Sequence, residues 1–427
     1  MADSTAADTA ALYQAGKFDE IIRIHSNRLR FVPQDGKSWS ALIAATAAQQ
    51  NYDLCLQLLA KAFDTIGHKA APFIFAHAML EILDYRDYPA ILAICGRLNG
   101  DTPLFIIACY YQGCAMIMQG QVQPGLRYLT FVKLNWRKYQ DHIDFLDNQL
   151  FNTLLRQALT VATAEEMAQR ITLTPPPTQL RWLAPPLPDQ MADKPHGAAA
   201  TAANHLYFNA FGESFVDQIM PRLDGCGLHL HVVSPDAESE ALLATLRDRY
   251  PGRISGSAED APPYNSATYY SCARFYAMDQ ILAYQRMPVM TFDIDITPTL
   301  PVAQLFALAG DFDFCCFKTR RTEPASHYQA SVMTWTPGEA TSAFIQALRN
   351  YCWPQLSNSS AISWLLDQGA LFSLLESGLP EGQVRFGDYS QLLGGGLEAH
   401  TRLITDEAAK LKLRLAADAR ARQTQAS

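Results

Sequence analysis

Pro288-Val289-Met290-Thr291-Phe292-Asp293-Ile294-Asp295 is the stretch that decides how the C-terminal half of this chain is read. A short apolar run that ends in a polar turn is a strand buried on both faces, and such strands belong to α/β sheets covered by helices on both sides. Two carboxylates one residue apart follow at its carboxyl end, where open α/β sheets bind ligands. Like charges held this close resist joint ionisation unless a cation lies between them. A magnesium or manganese ion, taking oxygens from Asp293, Asp295 and a substrate diphosphate, is the simplest compensation.

Working outward, short apolar runs alternate with amphipathic helices. Leu206-Tyr207-Phe208-Asn209-Ala210 reads as a first strand, followed by a helix around 215–223. Residues 228–233 read as a second strand and 237–250 as a helix with Leu242, Leu243 and Leu246 inward. A further helix over 271–284 leads into the acidic strand. This alternation predicts an α/β domain over residues 204–400 with a mixed, mostly parallel sheet. His229 and His231 share one strand face by the period of two, which is compatible with a metal pair. With no carboxylate or cysteine at ligand spacing, they read instead as neutral strand histidines.

The N-terminal third has a different period. Phe18, Tyr52, Tyr88 and Val122 each follow a polar break between two apolar helices, at spacings of 34, 36 and 34 residues. Small residues recur where paired helices must approach, as at Ala44-Ala45 and Ala60-Ala62, and Pro33, Pro72 and Pro103 fall at turns. Residues 1–168 therefore resemble tetratricopeptide repeats, an α-solenoid whose stacked hairpins expose a surface to another chain or pack as a helical cap. Between the two parts, 169–203 is rich in proline and reads as a linker, with Trp182 and Leu183 anchored on a flanking domain. The tail over 401–427, with Lys410, Lys412, Arg414, Arg420 and Arg422, reads as a basic amphipathic helix or tail.

Composition sets the outer bounds. The chain has 427 residues, 49% of them hydrophobic and 18% charged, enough for about two or three domains with real cores. Its net charge of −8 offers no broad positive field, which argues against nucleic acid as a partner. No apolar stretch reaches the ~20 residues of a spanning helix. Met1-Ala2-Asp3-Ser4-Thr5 lacks the features of a secretory signal, and the nine cysteines include no Cys-x-x-Cys pair. Both point to the reducing cytoplasm.

From Tyr207 to about His400 the chain resembles GT-A nucleotide-sugar glycosyltransferases of the family 8 type. Four segments carry the resemblance: Tyr269-Tyr270-Ser271-Cys272-Ala273-Arg274-Phe275, the strand running into Asp293-Ile294-Asp295, Gln329-Ala330-Ser331-Val332-Met333-Thr334-Trp335, and Trp364-Leu365-Leu366-Asp367-Gln368-Gly369-Ala370-Leu371-Phe372. The third departs from the family's usual Asn-x-Gly. The resemblance implies a hexosyltransferase using a nucleotide-sugar donor and a protein or glycan acceptor. It implies manganese or magnesium on Asp293, Asp295 and a histidine, for which His400 is first and Asp388 second candidate. Arg274, Tyr207 and Asn209 are implied at the donor, and Asp367 with Gln368 at the transferred sugar.

Each residue also has a plainer reading. Arg274 makes an ion pair with Asp279 or another nearby acid, Asp367 opposes a helix dipole, and Lys318-Thr319-Arg320-Arg321 is a solvated turn. Two other functions compete. One is a repeat-based binding protein with a degenerate GT-A fold. The other is a haloacid-dehalogenase-like phosphatase, which also opens with Asp-x-Asp-x-Thr as in Asp293 to Thr297, but as the first strand of its domain and with a later metal motif that this chain lacks.

Overall fold

The computed structural model describes residues 9–67, 71–98, 103–139, 158, 160–175, 178–187, 197–260, 266–319, 323–357, 365–378 and 383–404. The chain forms two compact units, residues 1–164 with 321–325, and residues 165–320 with 326–427.

The first unit is helical. Its helices are α1 (9–14), α2 (Phe18–Phe31), α3 (Gly36–Ala48), α4 (Tyr52–Ile66), α5 (Ala71–Asp84), α6 (Tyr88–Cys95), α7 (Pro103–Met118) and α8 (Val122–Tyr139). The four positions read from the spacing are the first residues of α2, α4, α6 and α8. Two residues before each, at Gly16, Gln50, Arg86 and Gly120, φ is positive. The same paired bonds close all four preceding helices. Gln50 N donates to Ala47 O and Asn51 N to Thr46 O, and the pattern repeats from Gly16 and Lys17, Arg86 and Asp87, and Gly120 and Gln121. This left-handed cap satisfies the last carbonyls of one helix and turns the chain into the next. Asn51 and Asp87 then cap α4 and α6 through their side chains.

Close helix approach explains the small residues. The α7 and α8 backbones nearly touch, since a Cβ on Gly125 would lie 2.5 Å from Gly113 O and 2.7 Å from Ile117 Cγ1. At Gly120 nothing lies within 4 Å of such an atom.

The second unit is built on an eight-stranded sheet. Its strands are β1 (Arg181–Trp182), β2 (Ala198–Asn204), β3 (Gly227–Val233), β4 (Ile254–Glu259), β5 (Val289–Phe292), β7 (Phe314–Lys318), β8 (Tyr328–Trp335) and β9 (Phe386–Asp388), in the order β1-β4-β3-β2-β5-β8-β7-β9. A separate two-stranded ribbon pairs β6 (Ile296–Pro298) with β10 (Thr401–Leu403). All of the large sheet runs one way except the edge strand β1 and the inserted β8. Trp182 is held by stacking on Tyr284 at 3.5 Å.

Three expectations change. The first strand is Ala198–Asn204, and Leu206–Ala210 belongs to the helix His205–Ile219. That helix begins where it does because the Asn204 side chain accepts Tyr207 N, and its spacing buries Phe208, Phe211, Phe215, Val216 and Ile219. The stretch read as a linker over 169–203 therefore ends inside the sheet and also contributes β1. Gly197 fits there because a Cβ would meet Pro288 O at 2.4 Å, at a φ of +110°. Thr401–Leu403 is a strand and not the start of a basic helix; residues 405–427 of that expectation lie outside the described residues. No described helix is long and apolar enough to cross a membrane.

The glycine geometry gives a stability test. Gly125→Ala should force α7 and α8 apart and cost roughly 1–3 kcal/mol. Gly120→Ala should cost only the left-handed strain, about 1 kcal/mol. Urea unfolding of both variants checks this, and a Gly125→Ala protein no weaker than Gly120→Ala would contradict the packing account.

Candidate functional site

Strand order locates the site before any side chain does. From β2 the chain proceeds to β3 and β4 on one side, then returns through the helix Ser266–Gln285 to β5 on the other side of β2. Between β2 and β5 the order reverses, and ligands of open α/β sheets bind in the crevice outside the carboxyl ends of the strands at such a point. The register pairs Thr201 with Phe292, so β2 runs on through Asn204 beside the turn that carries Asp293 and Asp295.

That turn is fixed from several sides. Asp293 N donates to Ser331 O of β8 at 3.0 Å, Ile296 N donates back to Asp293 O, and Ile404 N donates to Asp295 O at 2.7 Å. Arg274, in the helix Ser266–Gln285, is buried. Its Nη2 lies 2.6 Å from Asp293 Oδ1, its Nη1 donates to Ala330 O at 2.6 Å and its Nε to Ser271 O at 3.2 Å. The acid expected as its plain partner, Asp279, instead accepts from Ser342 Oγ.

Asp367, in the first turn of the helix Leu366–Ser373, completes the cluster. It is 6% exposed. Burial pushes its carboxyl up to about 6, Arg274 opposes that and Asp293 adds to it. Its Oδ1 accepts Gln368 N at 2.9 Å. The residue before it, Leu365, takes the left-handed conformation at φ 72°, a strained position of the kind that collects at functional sites. Asp295 is also raised, first by burial and then by the Asp293 charge, with Arg274 pulling the other way. Three carboxylates thus share one guanidinium, and the unmet negative charge fits a divalent cation.

The remaining expected residues divide. Tyr207 is 45% exposed and Asn209 half-buried, on the first turns after β2 at the same sheet edge. Asn209 Nδ2 donates to both Asp236 oxygens at 3.2 and 3.3 Å, and its Oδ1 is enclosed without a partner. His400 is not brought to Asp295. Thr299 faces it across the β6–β10 ladder, and its ring packs 6.2 Å from that of Phe317. Asp388 ends β9, three strands from β5 or about 14 Å, where it accepts Lys318 N and Ser390 N. Lys318 is paired with Glu376 at 2.6 Å; residues 320–322 lie outside the described residues. Among the described residues no group of three His, Cys, Asp or Glu side chains forms a metal cage. Magnesium and manganese sites do not require one, because one or two carboxylates plus substrate phosphates hold such ions.

Sequence reasoning missed Glu259. It lies 3.2 Å from His231 Nε2, the carboxylate partner not found by spacing. The polar alternation Ser255-x-Ser257-x-Glu259 on a strand buried throughout was its signal.

No protein-family profile matches this chain, and no curated protein does. Similar solved structures are glycosyltransferases. They include the apo bifunctional glycosyltransferase WbbM (13% identity, TM-score 0.31, 44% of this chain and 39% of that one). The galactosyltransferase LgtC, with donor and acceptor sugar analogues, is 14% identical (TM-score 0.32, 42% and 70%). The apo glycosyltransferase GlyE of Streptococcus pneumoniae TIGR4 is 17% identical (TM-score 0.32, 46% and 45%). This chain spans less than half the length of WbbM and of GlyE. Likeness this distant carries no weight of its own; the residues do.

The raised Asp367 has a measurable sign. An acid whose folded value lies above its unfolded one destabilises the fold at high pH, with the loss developing as pH rises from about 4 to about 6. Asp367→Asn should therefore be more stable than the parent at pH 7.5, by roughly 1–3 kcal/mol. The gap should close on acidification to pH 4. Denaturant unfolding across that range checks it, and a gap independent of pH would show that Asp367 is ionised at no cost.

Proposed function

We propose that this chain is a metal-dependent glycosyltransferase that moves a sugar from a nucleoside-diphosphate donor to a protein or glycan acceptor. The observation that carries the reading is the Arg274–Asp293 pair at the strand-order reversal, with Asp295 and Asp367 beside it.

Breaking the bond between a sugar's anomeric carbon and a diphosphate puts negative charge on the leaving oxygen. Manganese or magnesium held by Asp293 and Asp295 would supply Lewis-acid stabilisation of that charge. Arg274 has planar, forked donors suited to phosphate oxygens, here directed at Asp293 and two backbone carbonyls. Asp367 and Gln368, at the start of their helix, face the transferred sugar in this reading, as hydrogen-bond partners of its hydroxyls or at its anomeric centre. Tyr207 and Asn209 extend the donor site along the β2 edge. His400 stays outside the ligand set of this proposal.

The phosphatase reading fares worse. Its nucleophilic aspartate would follow the first strand, whereas β2, β3 and β4 precede Asp293, and Asp293 is tied to an arginine. For α1 to α8 we propose tetratricopeptide-like repeats that dock an acceptor or partner chain, supported by the fourfold capping pattern. A cytoplasmic location is part of the proposal; the nine cysteines are all unpaired and buried.

The test is thermal unfolding with uridine, guanosine, cytidine and thymidine diphosphates, each with and without manganese, on the parent and Asp295→Ala. Binding to the folded state raises stability by mass action, about 2.7 kcal/mol at a hundredfold excess over Kd. A manganese-dependent rise with one nucleotide, absent in Asp295→Ala, is expected. No rise with any of them would reject the donor site in favour of a protein that only binds partners.

A further inference from the structure

The helix Ser266–Gln285, which delivers Arg274, lies beside a buried polar line on β3 and β4 that sugar transfer does not use. His229 Nδ1 lies 3.1 Å from Gln285 Nε2, and His229 Nε2 lies 2.9 Å from Ser257 Oγ. Ser257 Oγ is also 2.9 Å from His231 Nδ1, and His231 Nε2 is 3.2 Å from Glu259 Oε1.

One backbone group orients the whole line. Leu187 N can only donate, so the Gln285 atom it reaches at 3.3 Å is the amide oxygen. Gln285 Nε2 must then donate, both to Ser255 Oγ at 2.8 Å and to His229 Nδ1. Burial, and then His231, push the His229 imidazole down to about 3, so its ring is neutral and its proton sits on Nε2. That proton goes to Ser257 Oγ, the Ser257 hydroxyl to His231 Nδ1, and His231 Nε2–H to Glu259. Every donor points the same way and the line ends on a carboxylate, an arrangement in which each bond polarises the next.

Glu259 is enclosed, and its Oε2 accepts no hydrogen bond. A buried carboxylate half unsatisfied is costly, and packing alone is served as well by aliphatic residues. The Tyr269 phenol is near enough that the Glu259 charge adds to burial in pushing it far above its usual range. The line therefore meets the Arg274 helix at both ends, by hydrogen bonds at Gln285, its last residue, and through the Glu259 charge at Tyr269 in its first turn.

We propose that the line from Gln285 through His229, Ser257 and His231 to Glu259 and Tyr269 is a positioning device that sets the axial placement of the helix, and so of Arg274 against Asp293. This rests on the donor-site reading, in which a displacement of well under 1 Å at Arg274 matters. Glu259 and Tyr269 are positioning residues and touch no substrate.

The test uses the full chain, with Glu259→Gln, Tyr269→Phe and the double variant. The first readout is manganese-dependent affinity for whichever nucleoside diphosphate the parent binds, alongside the melting temperature without ligand. Each single variant is expected to lose at least tenfold in affinity with a melting temperature within a few degrees of the parent. The double variant is expected to lose no more than the worse single one, because both act through one link. Affinities within twofold of the parent, or losses that simply multiply, overturn the proposal. The second readout is hydrogen exchange at the Arg274 Nε–H in the ligand-free protein. It should be slow in the parent and at least tenfold faster in Glu259→Gln; equal rates overturn the proposal. Should the parent bind no nucleotide, the donor-site reading falls alone, and this second readout still decides the positioning.

Discussion

The contact on which the second unit's site depends is the 2.6 Å ion pair between Arg274 and Asp293. A parallel sheet presents its carboxyl ends at one edge, and this chain places three carboxylates close together there. Ionised together and without a cation they repel one another, and burial raises the cost of each charge. One guanidinium pairs with one of them, Asp293. Asp367 and Asp295 are left with raised values, first from burial and then from the Asp293 charge beside them. Stability alone does not explain such a cluster, since less acidic residues at any of these positions relieve it. Perturbed acids gathered at a sheet's carboxyl edge are what the proposed donor site would need.

Delivering that arginine sets demands elsewhere in the sheet. The helix that carries it spans Ser266–Gln285 and packs on β2 and β5, while Gln285 at its end bonds to His229 of β3 and Ser255 of β4. β2 answers with Ala198-Ala199-Ala200-Thr201-Ala202-Ala203, a run with almost no side-chain volume. In the register of the sheet Ala200 pairs with His229 and Ala202 with His231, so the small residues stand beside the imidazoles of the polar line. A strand of valines and isoleucines there would fill that space, at the cost of the line that anchors the helix.

The same fact explains where the sequence was readable. Asp293 and Asp295 were legible because an apolar run before two carboxylates is improbable without a reason. The starts of α2, α4, α6 and α8 were legible because the cap between helices repeats, and the repeat survives even where Gln50 and Arg86 take the positive φ that glycine favours. β2 was not legible. Its alanines have low strand propensity and no period of two, and its strand state comes from hydrogen bonds to β3 and β5 on both sides. The next apolar segment, Leu206–Ala210, has the stronger strand propensity, although Asn204 capping Tyr207 makes it a helix start. Glu259 was missed for a related reason. Its partner, His231, lies on another strand, and only sheet register joins them.

The position of His400 bears on the proposed metal site in a different way. An expectation built on motif order alone assigns a third protein ligand, because order along the chain does not report which rung of a ladder a residue occupies. Here the β6–β10 pairing opposes His400 to Thr299 and leaves the backbone at Ile404 beside Asp295. A metal site of two carboxylates leaves coordination positions open, and in the proposed function a donor diphosphate would supply oxygens for them. In the proposed function, metal and nucleotide would bind as a pair, each weak without the other, because the carboxylates alone would give too few ligands and the phosphates alone would meet a net negative edge. Such coupling would suit the proposed transferase, which must not hydrolyse its donor at rest, since the charge that favours departure of the diphosphate would be assembled only with the whole donor in place.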